Sequence, residues 1–429
     1  MATARLSRAR IRPARSEEDI DRVAEFLKTP RVREIAEGHP EERGAVRICE
    51  LEDKIIAAVM IDPSPLRIRE TDVRCARIVE ANGLDGRLQF RETGNRDLFV
   101  LVLEEALGYI WIKRYPICYA HGELALYPAH GFVPCFFHPR VYVDVESALK
   151  LPSHHRVRHL KSDDIAKVQS LRARNRELKP SVFAAGVPPF HHFCVESPDR
   201  EICGYLSLRV KPESTWRPKL FAPEVEVTSR EAAFSVLRHA AEKAQEAGLA
   251  EIHFPLAPEH PFARVCLDLG GRVVVKGAAS NPFLDEEMIH VVDPMRFVDA
   301  LEPYFQRRLA RSGALETVAR IPLSAGGSAW TLRLEGGRVF LDETTTKPKD
   351  SIEMPRWAFA QLLTGYRSVD ELGVPVTGEQ ADILDMLLPK THPYSLPDPD
   401  VWDDVEPPEP YEDAARDIVQ RTRLPWSLA

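Results

Sequence analysis

The chain opens the same way twice. "RIRPARSEEDIDRVAEFLKT" begins at Arg10 and "RVRHLKSDDIAKVQSLRARN" at Arg156. Each reads as a short basic strand, then a serine with acidic neighbours at a helix N-cap, then apolar residues at helical spacing. Ser16 precedes Ile20, Val23, Phe26 and Leu27, while Ser162 precedes Ile165, Val168 and Leu171. The segments downstream repeat as well. Two strands come next, "AVRICELEDKIIAAVMID" joined at an Asp-Lys turn and "HHFCVESPDREICGYLSLRV" joined at "SPDRE". A helix succeeds them in each copy, "NRDLFVLVLEEALGYI" or "SREAAFSVLRHAAEKAQEAG", and then strand, turn and strand with a glycine before the last strand ("HGFVPCFF", "LGGRVVV"). The order implies a duplicated α+β unit, each copy packing helices on a mixed sheet.

At 429 residues the chain exceeds one ordinary core, which agrees with the duplication and leaves room for more. From Met288 the pattern changes. "DPMRFVDALEPYFQRRLARSG" is an amphipathic helix with Phe297, Leu301 and Phe305 on one face. "AWTLRLEGGRVFLDE" alternates about Gly336-Gly337 as a hairpin, and "MPRWAFAQLLTGYRS" is a further helix. The expected division is 1–150, 151–287, a small α+β domain over 288–395, and an acidic, Pro-rich extended tail over 396–429 with one short helical stretch near Tyr411 to Arg421.

Charge narrows the function classes. Acidic residues outnumber basic ones, 65 to 57, so no global basic field is available to hold nucleic acid or an anionic membrane. No apolar run approaches the ~18 residues of a membrane span. The start, "MATARLSRARIRPAR", is basic without an apolar core, unlike a secretory signal. Seven scattered cysteines form no CxxC pair and mostly sit in apolar runs. Buried thiols in the reducing cytoplasm are the expectation. Assembly into a homo-oligomer is compatible with the sequence.

One stretch of the first copy carries chemistry. In "RIVEANGLDGRLQFRETGNRDLFVLVLEEAL" a strand at Arg77 to Glu80 leads through a loop to a helix, and "RETGNR" falls at that helix's N-terminus. Free backbone N–H groups there suit phosphate oxygens, Gly94 permits close approach, and Arg91 and Arg96 favour an anion. A plain glycine loop capping a helix would look similar. Downstream, "ALYPAHGFVP" places Tyr127 four residues before Gly131-Phe132, either as core or as an acid aimed at a leaving group. "FHHFC" (His191, His192, Cys194) and "CFFH" (Cys135 to His138) contain ligand residue types without a four-ligand set, so no metal is expected. Cys118 and Cys135 read as buried thiols rather than nucleophiles.

The order strand, R-x-x-G-x-R turn, helix, strand, Y-x-x-x-G-F resembles the GNAT superfamily of acetyl-CoA-dependent N-acetyltransferases. The residues are Arg91, Gly94 and Arg96, then Tyr127, Gly131 and Phe132. The duplication followed by "MIHVVDPMRFVDAL…WTLRLEGGRVFL…MPRWAFAQLLTGYRSVDEL" is similar to the enhanced-intracellular-survival (Eis-like) type, over about residues 8 to 395. The resemblance implies tandem GNAT-like domains, the second degenerate, and a sterol-carrier-protein-like third domain. It also implies acetyl transfer from acetyl-CoA to a primary amine on a small molecule, an aminoglycoside-like polyamine or lysine. Val79, Arg91, Thr93, Gly94, Asn95 and Arg96 would then hold acetyl-CoA, and a backbone N–H near Val79 would stabilise the tetrahedral oxyanion. Tyr127, with an unperturbed pKa near ~10, would protonate the leaving thiolate.

Glu80, Glu123, His121 and the tail carboxylates stand as candidates for the base that takes the ammonium proton. Members of this type place a chain-terminal carboxylate near the site, a role that would fall to Ala429, although this chain runs on past the usual end. Arg96 also departs from the family's Gly or Ala. The turn of the second copy, in "APEVEVTSREAAFSVL", has no glycine, so the resemblance gives that copy no cofactor. Two other classes fit the same residues, a non-catalytic scaffold on a degenerate GNAT fold and a lipid carrier.

Overall fold

The structure is a computed structural model that describes residues 10–27, 31–38, 45–63, 65–69, 71–83, 96–123, 126–136, 138–174, 191–210, 220–256, 260–276, 285–376 and 378–391. The expected tail, with its short helix and Ala429, lies outside the described residues. The first copy contributes β1 (Arg10–Pro13), β2 (Val46–Leu51), β3 (Lys54–Asp62), β4 (Leu66–Ile68), β5 (Thr71–Val73), β6 (Cys75–Gly83), β7 (Ile117–Glu123), β8 (Val133–Pro134) and β9 (His138–Asp144). The second contributes β10 (Arg156–His159), β11 (His191–Glu196), β12 (Ile202–Val210), β13 (Leu220–Val227), β14 (Glu251–Phe254), β15 (Arg272–Lys276) and β16 (Asp285–Val291). The last part contributes β17 (Ala319–Ala325), β18 (Ser328–Glu335), β19 (Arg338–Glu343) and β20 (Ile352–Met354).

Two seven-stranded mixed sheets share one plan, β1-β2-β3-β6-β7-β16-β8 and β10-β11-β12-β13-β14-β9-β15. In each, the sixth place is filled by a strand from the other copy. β9 is the last strand of the first copy in sequence yet lies between β14 and β15, and β16 is the last of the second yet lies between β7 and β8. The expected division at 287/288 therefore falls inside a strand, and the strand belongs to the first sheet. Sequence alternation tells which residues of a strand share a face, but not which neighbour accepts its hydrogen bonds.

The repeated openings fold alike because they make the same ion cluster. Arg12 reaches Asp19 at 2.7 Å and Glu50 at 2.8 Å. Arg158 reaches Asp164 at 2.7 Å and Glu196 at 3.4 Å. In both copies the arginine and the glutamate are 38 residues apart. Each cluster ties the first strand to the second and to the start of the adjoining helix. The β2–β3 turn sits at Glu52-Asp53, with φ of 51° and 60°, one residue earlier than the Asp-Lys turn expected.

Helices cover the sheets through their apolar faces. Helix Arg96–Ile112 sets Phe99, Val102, Leu103, Ala106 and Ile110 against Val59, Ile61, Ala76 and Ile78. Helix Arg230–Glu246 presents Ala233, Val236, Leu237, Ala240 and Ala244 to Leu206 and Val225, its small residues permitting close approach. The β18–β19 hairpin pairs Leu334 with Val339 about Gly336 and Gly337, whose φ of 59° and 71° fit the two left-handed positions of a type I′ turn.

The last part is fastened to the first by the β4–β5 hairpin. Leu66, Ile68 and Val73 share one core with Phe297, Phe305, Leu341 and Leu362. At the hairpin tip, buried Arg69 donates from Nε to the Leu363 carbonyl and from Nη2 to the Leu362 carbonyl, both at 2.7 Å. Its Nη1 serves Tyr304 Oη and the Pro389 carbonyl, both at 2.9 Å. The cation thus serves carbonyls at the C-terminus of helix Arg356–Thr364, of which Leu362's also accepts from the Gly365 N–H, at the end where the helix dipole favours positive charge. No helix among the described residues is long and apolar enough to cross a membrane.

Candidate active site

The first sheet opens where its two central parallel strands part. β6 and β7 pair from Cys75↔Ile117 to Ile78↔Ala120, and both continue beyond that pair without further ladder partners for each other among the described residues. At the mouth of the opening β6 carries a bulge. Met60 pairs with Glu80 and Ile61 with Ile78, which leaves Val79 as the extra residue. A bulged residue is released from the ladder, so its N–H can serve something other than the neighbouring strand. Val79 and Glu80 border the opening on one side, and His121, half-buried on β7, borders it on the other. The side chains of Val79 and Glu80 lie outside the described residues.

Arg96 begins the helix whose N-terminus the sequence marks for an anion. Its side chain, like Arg91, Thr93, Gly94 and Asn95 altogether, lies outside the described residues, and so does the side chain of Glu123. Tyr127 begins a short 3-10 turn, Tyr127–His130, and is buried at 4% exposure. Its ring meets Phe132 edge-on, with centroids 5.2 Å apart. The turn ends at Gly131, whose φ of 84° favours glycine. A Cβ there would stand 2.7 Å from His290 Nδ1, so the position is closed by contact as well as by conformation.

Three residues of the first sheet carry no signal in the sequence, and two of them arrive on the exchanged strand. His290 Nδ1 lies 3.0 Å from the Gly131 carbonyl oxygen, and its ring lies 5.5 Å from that of Phe132. A carbonyl only accepts, so Nδ1 carries the proton in this tautomer. Burial pushes the His290 imidazole below its ordinary pKa, aided by nearby Arg356 and His130, while the bond to Gly131 opposes the shift. Glu287 is buried opposite His121 in the β7–β16 ladder, and its carboxylate accepts a hydrogen bond from Tyr119, the third residue. Arg77 stands over the Tyr119 ring at 5.2 Å. The alternation in "EEMIHVV" marks a strand, but these residues reach the first copy only through the exchange.

The second sheet repeats the opening and lacks what the first offers. β13 and β14 pair only at Leu220↔Ile252 and Phe221↔His253. β13 also carries an extra residue, between Ser207↔Glu224 and Arg209↔Phe221. Counting back from Glu80 and Glu224, the place of Val79 is taken by Pro223, which has no N–H to give. Residues 84–95 separate β6 from its helix in the first copy, whereas Thr228 and Ser229 alone separate β13 from helix Arg230–Glu246. That short turn satisfies its own groups. Ser229 accepts from the Ala232 N–H as N-cap, and the Thr228 hydroxyl donates to the Cys203 carbonyl.

Cys118 and Cys135 are fully buried, and burial raises both thiols, Cys135 to about 12 and Cys118 well above its ordinary range. Both stay protonated at neutral pH and are poor nucleophiles. His192 bonds Tyr205 through Nδ1 at 2.7 Å, and the Cys194 thiol faces Asp164. Among the described residues no group of three or more His, Cys, Asp or Glu side chains is placed to hold a metal ion.

The fold, with its two sheets of matching plan, is similar to that of solved GCN5-related N-acetyltransferases. A GCN5-related N-acetyltransferase from Anabaena variabilis has a TM-score of 0.66 at 12% identity, over 91% of this chain and 99% of that one. One from Kribbella flavida has a TM-score of 0.65 at 16% identity, over 90% and 97%. Eis1 from Mycobacterium abscessus has a TM-score of 0.59 at 15% identity, over 90% and 99%. No family model and no curated protein sequence matches the chain.

Proposed function

We propose that this chain is an N-acyltransferase of the Eis-like kind, moving an acetyl group from acetyl-CoA to a primary amine in the opening of the first sheet. The carrying observation is the contrast at the bulge, Val79 with an N–H in the first sheet and Pro223 without one in the second. In this reading the released Val79 N–H faces the acyl-CoA, and Gly94 with its basic neighbours takes the pyrophosphate at the helix N-terminus. Tyr127 holds a phenolic proton for the departing thiolate, a fit of acid to leaving group at neutral pH. A base accepts the ammonium proton, with His121, Glu80 and the Ala429 carboxylate as its candidates. The Eis-like assignment draws support from the Eis1 likeness over 90% of the chain.

The last part, read as sterol-carrier-like, serves here as packing for the first copy, since the β4–β5 hairpin shares its core. All seven cysteines are free thiols, in keeping with a reducing cytoplasm. The test is release of free CoA thiol from acetyl-CoA across a panel of primary amines, with calorimetry for stoichiometry. Thiol release dependent on an amine, with one acetyl-CoA bound per chain, is the expected result. Silence across small amines, polyamines and lysine peptides would overturn it.

A further inference from the structure

The segment that leaves the Tyr127 turn is gripped at two points, Gly131 and Pro134, by parts of the chain distant in sequence. At Gly131 the grip is His290 from the exchanged strand β16, donating to the Gly131 carbonyl at 3.0 Å. Three residues on, Gln361 of helix Arg356–Thr364 donates from Nε2 to the Pro134 carbonyl at 2.9 Å. Gln361 is buried, and Thr364 of the same helix bonds the neighbouring Cys135 thiol. Between the two grips lies Phe132, whose ring packs against His290 on one side and edge-on against Tyr127 on the other. Met288 of β16 and Phe132 share the core that holds Tyr127.

We propose that His290 and Gln361 are positioning residues for Tyr127, so that the first copy's site is completed by the second copy and by the last part. The inference rests on the acyl-transfer reading for its effect on rate, though not for the grip itself. The turn's closing backbone bonds are Gly131 N–H to the Pro128 carbonyl at 3.0 Å and Phe132 N–H to the Tyr127 carbonyl at a long 3.4 Å. A 3-10 turn of four residues ending in a left-handed glycine has little stiffness of its own. Two partly buried hydrogen bonds from packed elements supply it. A group that must meet a developing charge loses rate steeply when displaced by an ångström, whereas ground-state affinity for acetyl-CoA does not depend on it.

The assignment gives the last part a function that needs no lipid. Helix Arg356–Thr364 is held at its C-terminus by Arg69 of the first copy, and through Gln361 it holds Pro134, on the strand that follows the turn of that same copy. The contact is reciprocal.

The experiment uses the full chain and two readouts. One is amine-dependent turnover with the acetyl-CoA Kd. The other is backbone hydrogen exchange over residues 126–136, with residues 230–246 as internal reference. His290→Leu and Gln361→Met should each lower kcat about 10- to 100-fold, leave the acetyl-CoA Kd unchanged, and speed exchange in 126–136 alone. His290→Asn, whose amide N–H can stand where Nδ1–H stood, should recover most of the turnover and the protection. Unchanged exchange in His290→Leu or Gln361→Met, or His290→Asn no better than His290→Leu, would overturn the proposal. Should His290→Leu fail to fold, His290→Asn and Gln361→Met still decide it. Wild-type protein without turnover on any amine would sink the acyl-transfer reading, while exchange would still judge the grip.

Discussion

The His290 imidazole donates to the Gly131 carbonyl across 159 residues of chain, and the space it fills is the space a side chain at Gly131 would need. Gly131→Ala should therefore lose stability twice, once through a residue forced to φ of 84° and once through contact with the ring. Left-handed backbone at a non-glycine residue costs about 1–3 kcal/mol. Urea unfolding of Gly131→Ala alone and with His290→Ala separates the two contributions. The double variant should recover the contact share and keep the conformational one.

Tyr127→Phe tests the acid. The ring, with its edge contact on Phe132, remains, and only the hydroxyl is lost. Loss of a positioned general acid lowers kcat by ~10²- to 10⁴-fold with little change in the acetyl-CoA Kd. A tyrosine that only packs would leave turnover near wild type and lower stability by about 1 kcal/mol. Turnover, Kd and melting temperature on one preparation discriminate between these outcomes.

Acid should loosen both repeats together. The Arg12 guanidinium beside Asp19 holds its carboxyl down at about 2, and Arg158 holds Asp164 below the ordinary range. Glu50 is lowered as well, chiefly by Arg12. These carboxylates have lower pKa values folded than unfolded, so their stabilisation is full above the unfolded value of about 4 and is lost as pH falls toward 2. For Asp19 the shift is worth about 2 kcal/mol. Arg12→Met and Arg158→Met should each flatten the stability profile between about pH 4 and 2. A profile as steep as wild type in both variants would refute the linkage.

Arg69→Met probes the fastening of the last part. It removes a buried cation and takes the Arg69 donor from the Leu363 and Pro389 carbonyls, while the Leu362 carbonyl keeps the Gly365 N–H at 3.2 Å. Each orphaned buried acceptor costs about 1–3 kcal/mol, so a large fall in melting temperature is expected. Arg69→Lys should rescue little, because a single ammonium cannot reproduce the fork that serves four acceptors.

Much of this architecture is written in local pattern. Arg12 and Arg158 begin openings whose caps and helical spacings recur, and Gly336-Gly337 announces its hairpin, because both signals are short-range. The partners of β9 and β16 are not legible. A strand's alternation is satisfied equally by its own copy and by the neighbouring one, so Met288 looks like the start of a new domain. For the same reason Tyr127, Gly131 and Phe132 stand out as a motif, while His290 and Gln361 do not. The first group lies within one short stretch of chain, and the second meets it only in the folded molecule.

The bulge provides the sharpest test of where the cofactor goes. Val79→Pro would give the first sheet the residue that Pro223 gives the second. Proline is tolerated at bulges, since a bulged residue has already left the ladder, so the fold should persist with little change in melting temperature. What disappears is a single backbone N–H beside the proposed acyl group. Loss of one such donor costs about 10²- to 10³-fold in turnover. The reverse change, Pro223→Val, restores the N–H in the second sheet but leaves the two-residue Thr228–Ser229 turn, which has its own partners. It should therefore add no second binding event, and calorimetry should still report one acetyl-CoA per chain. Full turnover in a folded Val79→Pro variant would place the reacting thioester away from the bulge, and with it would go the case for the first sheet over the second.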